Sequence, residues 1–348
     1  MKKKIFKIIK LLIRKSGIYK VIEPWYSGRG SILMFHRICK KEQRSKLKNN
    51  SVLEVTPEYL ENIILYFKKK NYEPISIADV PERLKDRRAN KFVVFTFDDG
   101  YMDNYSLAYP VFKKYNVPFT IYVTTSFPER TAVLWWYLID DLVSSHDQIE
   151  IEYKGDKRLL KCGDASAKEL AFIELKRFIM SGDPGDQDKR IEAIFGKYGM
   201  QIKNKTLELT LDWPSIEKMA KDPLVTIGAH TISHKALTSL DPDKLKNEII
   251  GSKNIIGQKI GSDVSHFSYP FGGRDEAGPR EFSVVKYSGF ETATTTRMAN
   301  IFEEHAEHPE CLPRLLIDGN NENIWDLDLC VSGFIPFLIN KGRRIVLE

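Results

Sequence analysis

Six consecutive residues, Phe92-Val93-Val94-Phe95-Thr96-Phe97, are aromatic, apolar or β-branched, and the run stops at Asp98-Asp99-Gly100. A run of strand length with almost no polar alternation predicts a strand buried on both faces, as in a parallel α/β sheet. The Asp-Gly that follows predicts a turn. Folds of this class carry their chemistry at the carboxyl ends of the strands, where these two carboxylates would stand. Neighbouring carboxylates repel when both are ionised, so a cation or metal beside them is the natural way to keep both charged. A turn without chemistry is the other reading of the same residues.

A second apolar segment (Leu224, Val225, Ile227) empties into a polar loop, Ala229-His230-Thr231-Ile232-Ser233-His234, with two histidines in H-x-x-x-H spacing. On a helical turn, positions i and i+4 share a face. Two imidazoles and one carboxylate form a three-ligand set that leaves a position open for water, the pattern of a catalytic zinc site. Alone, the pair reads equally as a hydrogen-bonded surface feature. It gains meaning because Asp98-Asp99 ends another strand of what reads as the same sheet.

Thr96–Gly100 (TFDDG), His230–His234 (HTISH) and Tyr269–Gly273 (YPFGG) occur in this order, each at the end of an expected strand. Together they resemble the polysaccharide deacetylases of carbohydrate esterase family 4, over most of the chain from about Ser31 to Asp318. The resemblance implies a distorted (β/α) barrel, TIM-like, with a helical insertion. It implies a hydrolase that removes acetyl groups from N-acetylated sugar units, with an N-acetylhexosamine-containing glycan, such as a bacterial surface polysaccharide, as partner. By the family's pattern Asp98 is the catalytic base. Asp99, His230 and His234 hold a divalent metal, usually zinc. Tyr269, Pro270 and Phe271 lie at the substrate, with backbone N–H groups near Phe271 facing the oxyanion.

The pattern is broken in two places. The family's third motif has an arginine two residues before its proline, where this chain has Ser268. Arg314, in Leu312-Pro313-Arg314-Leu315, is the candidate replacement; a structural ion pair is the competing role. The family's late Leu-x-x-His is also missing, since His305 and His308 sit in an acidic stretch without it. Leu33-Met34-Phe35-His36 matches that pattern at the other end of the chain, as in circularly permuted relatives. His36 is therefore the expected general acid, or else it hydrogen-bonds a metal ligand from behind.

Composition limits the alternatives. The net charge of +6 is concentrated in residues 1–20, which hold eight Lys or Arg and no acid; the remainder carries 45 basic and 47 acidic residues. A nearly neutral body offers no basic face for nucleic acid. Within the arm, taken as residues 1–28, Ile5, Phe6, Ile9, Leu12 and Ile13 share one helical face and Lys4, Lys7, Lys10 and Arg14 the other. That pattern suits peripheral contact with a membrane interface, and equally a packed or frayed tail. The apolar run is interrupted and no cleavage site follows, so neither a signal peptide nor a transmembrane helix is expected. The expectation is a cytoplasmic protein, with peripheral contact at the inner face of the membrane. Cys39, Cys162, Cys311 and Cys330 lack metal-type spacing and read as free thiols.

Strand and helix signals alternate along residues 29–348, which predicts one catalytic domain of βα units. Thr56-Pro57 and Asp241-Pro242 are helix starts, and Gly261 is a stop. Residues 40–52 read as a mobile loop and Ile324–Leu338 as one terminal helix. Order breaks at about 127–211, an expected insertion or lid, where Trp135-Trp136 is either a sugar platform or a packing anchor. Two readings compete with deacetylation of nitrogen: an O-deacetylase, and a carbohydrate-binding protein of the same fold without turnover. A membrane-tethered scaffold rests on the basic arm alone.

Overall fold

The computed structural model describes residues 13, 16–182 and 184–347. Most of the amphipathic stretch of the basic arm lies outside these residues. Among the described residues no helix is long and apolar enough to cross a membrane.

Strand β1 (Gly30–Phe35) leads to the short β2 (Glu73–Pro74), the central β3 (Phe92–Phe97) and β4 (Phe119–Val123). A hairpin, β5 (Gln148–Tyr153) and β6 (Asp156–Lys161), stands apart, and then β7 (Val225–Ala229), β8 (His266–Ser268), β9 (Thr292–Thr294) and β10 (Leu315–Leu316) follow. The main sheet has the order β9-β8-β7-β4-β3-β1-β10, with β2 also pairing β3. Its pairings are all parallel. Beyond the last strands, Thr294 bridges Leu312, which draws the two sheet edges together. The sheet is thus curled into the distorted (β/α) barrel that the sequence led us to expect.

Every residue of β3 is buried, as its unbroken apolar run requires. Side chains alternate across the strand. Val93, Phe95 and Phe97 enter the main core, with Leu60, Ile63, Ile64 and Phe67 of helix α1 (Pro57–Lys69). Phe92 and Val94 enter a smaller core with Ile32, Ile75, Ile77 and Val80. Helix α1 starts as its sequence predicts: Pro57 takes the first helical position and the Thr56 hydroxyl accepts from the Tyr59 N–H at 3.2 Å. Asp241 and Pro242 open the long Pro242–Ile260 helix in the same way, and Gly261 closes it at φ +69°.

Between β4 and β7 the chain leaves the barrel. Helix α2 (Trp135–Ser145), the hairpin, α3 (Ala165–Met180) and α4 (Gln187–Lys197) enclose a separate core that includes Leu138, Leu142, Phe172, Leu175 and Phe195. Trp135 belongs to that core, and the half-buried Trp136 packs against it.

Two local expectations are corrected. Residues 40–52 are not a loose loop: they hold a turn at Lys41–Gln43 and a helical turn at Lys48–Ser51, and Asn50 and Ser51 are buried. The polar side chains explain it, since the Asn50 amide bonds the Trp136 carbonyl at 3.1 Å and Asp140 at 2.9 Å. Residues 324–338 form two helices, Ile324–Val331 and Phe334–Ile339. Gly333 separates them at φ +82°, and a Cβ there would meet the Tyr26 carbonyl oxygen at 2.2 Å, so only glycine fits. His230–His234 is the loop that the sequence led us to expect, with Thr231 at φ +66° and His234 at φ +56°.

Candidate active site

Register brings the strand ends level. Phe35 pairs with Phe97, Val123 with Ala229, and Ala229 with Phe267, so His36, Asp98 and His230 emerge from one edge of the sheet. With a side-chain period of two, Thr96 and Asp98 share a face of β3. Arg314 reaches both: its guanidinium meets the two Asp98 oxygens at 2.7 Å each and the Thr96 hydroxyl at 3.1 Å. The same group donates to the Ser268 hydroxyl at 3.0 Å and the Thr295 carbonyl at 2.9 Å. Arg314 therefore comes from near the chain's end to the place where Ser268 stands instead of an arginine. The pair is sealed, Arg314 at 0% and Asp98 at 2% side-chain exposure. Burial alone would raise the Asp98 carboxyl, but the charge of Arg314, with His230 and the direct hydrogen bonds, outweighs it and holds it below its usual range.

Strand alternation would send Asp99 to the opposite face. Instead Asp99 takes φ +77°, which breaks the alternation and turns it toward the histidines. The Asp99 Oδ1 lies 3.4 Å from His230 Nε2 and 3.1 Å from His234 Nε2. These contacts are not aligned for hydrogen bonding, and Oδ1 is a buried oxygen with no hydrogen-bond partner. One ligand atom from each of the three residues lies within 4.8 Å of the others. His230 Nδ1 meets the Ser268 carbonyl at 2.7 Å, which fixes the proton there and leaves Nε2 a lone pair for the cluster. Burial would push the His230 imidazole down, yet Asp99 and Asp98 push it up, a sign of negative field at this point. Converging, unbonded, electron-rich atoms of the types N, N and O fit a divalent cation such as zinc.

The histidine loop is held from outside the motif. Glu248, on the long helix after it, accepts from the backbone N–H groups of Ile232 (2.8 Å) and Ser233 (2.9 Å) and from the Ser233 hydroxyl. The Thr124 hydroxyl donates to the His230 carbonyl at 2.9 Å, and His234 N–H to the Thr231 hydroxyl at 3.1 Å. These fixed points hold two residues in the left-handed region. Glu248 carried no signal in sequence, because its helix reads as an ordinary amphipathic one.

A cavity of about 230 Å³ opens over Asp98, Asp99, His230 and His234, with His36, Trp136 and Phe271 in its walls. His36 keeps some surface toward it, yet protein packs densely around the ring, and that burial pushes the imidazole down despite Asp99 and Asp98. Its Nδ1 is buried without a partner. The Phe271 ring stands edge-on to His234 at 4.9 Å, and its backbone is turned to φ +60°. Among the described residues no acceptor takes the Phe271 N–H. Tyr269 is placed otherwise: its ring lies in the core against Phe267 and Phe282, and its hydroxyl bonds the Glu310 carbonyl at 2.8 Å. Pro270 is buried beneath Phe271 in sequence, so of these three only Phe271 lines the cavity. Asn49 and Asn50, from the supposed loop, complete the wall.

Acids and histidines gathered at the carboxyl edge of the strands stand where enzymes built on (β/α) barrels carry their catalytic residues. The profile of the polysaccharide deacetylase family matches residues 85–157 and 181–289, half of the chain, and the chain belongs to that family. The enzymes of this family are hydrolases of carbon–nitrogen bonds other than peptide bonds. YxkH of Bacillus subtilis, itself named a polysaccharide deacetylase by inference, is 33% identical over 94 residues. That stretch is 26% of this chain and 30% of YxkH, so the chain matches under a third of its curated relative. The deacetylase PplD of Streptococcus pyogenes, solved with acetate, superposes with a TM-score of 0.54 at 19% identity, over 83% of this chain and 92% of that one. IcaB from Ammonifex degensii gives 0.53 at 15% identity, over 87% and 97%. At these identities the likeness is one of fold.

Proposed function

We propose that this protein is a metal-dependent hydrolase that removes acetyl groups from N-acetylated sugar units of a glycan. The observation that carries the reading is the juxtaposition of a buried, arginine-held carboxylate with an unbonded Asp-His-His cluster at the floor of one cavity. Family membership supplies the reaction class.

Hydrolysis of an acetamide adds water to the acetyl carbon, breaks the C–N bond, and returns a proton to the departing amine. Asp99, His230 and His234 would hold a divalent cation, zinc or a similar ion, whose chemistry when bound is to acidify water and polarise an acyl oxygen. Asp98 takes the proton of the attacking water. It is suited to this because Arg314 keeps it ionised although it is buried. The Phe271 N–H donates toward the oxygen that becomes negative as the carbonyl carbon turns tetrahedral. His36, which lines the cavity and whose imidazole burial pushes below its ordinary value, delivers a proton to the leaving nitrogen and is left neutral. Adjacent aspartates thus divide the work, one held by a guanidinium and the other facing the imidazoles.

Mass spectrometry of N-acetylated glycans incubated with zinc-loaded protein tests the reading. Loss of acetyl that stops with a chelator, and with Asp98→Asn, is expected. Unchanged glycans under all conditions would leave a binding protein of this fold. Loss from O-acetylated glycans alone would move the activity to esters.

A further inference from the structure

His36 lines the catalytic cavity, yet its ring Nδ1 is buried without a hydrogen-bond partner. With that nitrogen unheld, the aim of the imidazole depends on the backbone to either side of it. That backbone is gripped from one place. Strand β1 ends at Phe35, and the Asn104 amide donates to the carbonyl of the next residue, His36, at 2.9 Å. The Asp103 carboxylate accepts the Ile38 N–H on Oδ1 at 3.0 Å and the Arg37 Nε–H on Oδ2 at 2.8 Å. Asn104 also donates to Asp103 Oδ1 at 3.2 Å, which joins the two into one unit. Both Asp103 oxygens thus accept, from three donors, as an ionised carboxylate does.

Asp103 and Asn104 lie in the turn that follows Asp98-Asp99-Gly100, and the chain then continues as a wide π-type turn over Asn104–Ala108. One short stretch therefore carries the base and a metal-ligand candidate, and a turn later holds the strand end that carries His36. Arg37 adds a second tie. Its guanidinium lies over the rings of Tyr101 at 5.5 Å and Tyr137 of α2 at 5.0 Å, and it reaches Glu54 at 3.4 Å. The Tyr137 hydroxyl donates to Glu54 at 3.2 Å. The Glu54 side chain is 1% exposed, that of Asp103 10% and that of Arg37 13%. Apolar residues of similar volume would stabilise such a place at least as well, so what the buried charges add here is direction.

We propose that Asp103, with Asn104 as its partner, is the positioning residue for His36. It fixes the backbone of residues 36–38 so that the imidazole faces the nitrogen that leaves, and it touches no substrate itself. The inference rests on the deacetylase reading above, in which His36 is the proton donor, and adds the device that aims it.

The test compares an acetamide sugar with an acetyl ester that has a good leaving group, using the full chain. Asp103→Asn keeps the shape of the side chain and turns a donor toward Arg37. Asn104→Ala removes the bond to the His36 carbonyl and leaves the Asp103–Arg37 pair in place. Both should lower kcat for the acetamide by about tenfold or more, since misplacing an acid forfeits part of what proton transfer contributes. Metal content, KM and ester turnover should stay within about threefold of the parent, because the ester's leaving group needs no proton. Equal losses on both substrates would show a merely structural role and overturn the proposal. So would unchanged acetamide turnover in both variants. His36→Gln, run alongside, separates this failure from that of the parent reading. Full acetamide turnover in His36→Gln removes His36 as the acid, whereas a loss there with none in the other two variants removes Asp103 alone. The geometry is also read without turnover, by NMR of the chain with ¹³C-labelled histidine, where His36→Gln identifies one resonance among seven. That resonance should shift and broaden in Asp103→Asn and Asn104→Ala, while those of His266 and His305, buried elsewhere, stay in place. An unmoved His36 resonance overturns the proposal even if no glycan is deacetylated, and so does movement of every histidine resonance in both variants.

Discussion

At the carboxyl edge of the barrel, charge is buried and over-determined: Arg314 touches Asp98, Thr96, Ser268 and Thr295 at once. On the insertion's surface, ion pairs are lightly held. Arg158 and Glu174 approach at 3.8 Å with 41% and 38% of their side chains exposed. Each region has its own core: the barrel buries the Arg314–Asp98 ion pair at the site, and the insertion buries Arg190, whose Nε donates to the Ile179 carbonyl at 3.1 Å. Removing a partner from a buried pair strands the other charge, whereas exposed pairs contribute little. The first arrangement holds its groups by several buried hydrogen bonds at once; the second leaves exposed charges with few constraints. The difference separates a barrel edge organised around a buried ion pair from an insertion organised around its own apolar core, and it can be broken at several points.

The largest expected effect is on turnover. Asp98→Asn keeps the shape of the carboxylate and loses its basicity, so deacetylation should fall by about 10²–10⁴-fold while metal content stays stoichiometric. Wild-type turnover in this variant would remove Asp98 as the base. Next is Arg314→Met, which leaves a buried carboxylate unpaired and should cost about 3–5 kcal/mol in denaturant unfolding. The sign with pH follows from the direction of the shift. The folded Asp98 carboxyl lies below its unfolded value of about 3.9, so its contribution is present above that pH and is lost as pH falls through the lowered folded value. Without Arg314, burial dominates, the carboxyl moves up, and the acid limb of the pH–rate profile should move up with it. An unmoved limb would make Arg314 a structural residue only.

Leu175→Ala probes the other region. Leu175 is fully buried in the insertion's core, and its truncation should cost about 2–5 kcal/mol. If the comparison holds, stability falls while metal content stays unchanged. Loss of metal in that variant would show that the insertion also holds the barrel's edge. Metal itself should stabilise the fold by about 2.7 kcal/mol at a free concentration a hundredfold above Kd. His230→Ala should abolish that gain in thermal unfolding, and an equal gain in both proteins would place the ion elsewhere. The smallest and most selective effect is expected at His36. His36→Gln should lose turnover of the acetamide, keep metal, and spare an acetyl ester whose leaving group needs no proton.

The chain's local order was legible because its signals are local. An unbroken apolar run made β3 a buried parallel strand, Thr56-Pro57 and Asp241-Pro242 opened helices, and Gly261 ended one. The spacing of TFDDG and HTISH named Asp98, Asp99, His230 and His234, which the fold gathers at one sheet edge. What sequence could not supply were conformations and partners set by distant atoms. The His230–His234 loop holds φ values that a helical reading forbids, because Glu248 and Thr124 satisfy its backbone from other elements. The 40–52 segment is ordered because Asn50 bonds α2, far along the chain. Arg314 could be named from sequence as one of two possibilities. Its bidentate grip on Asp98 across 216 residues came only from closing the barrel, because a charge pair is a property of distance and burial, and neither is written in the order of residues.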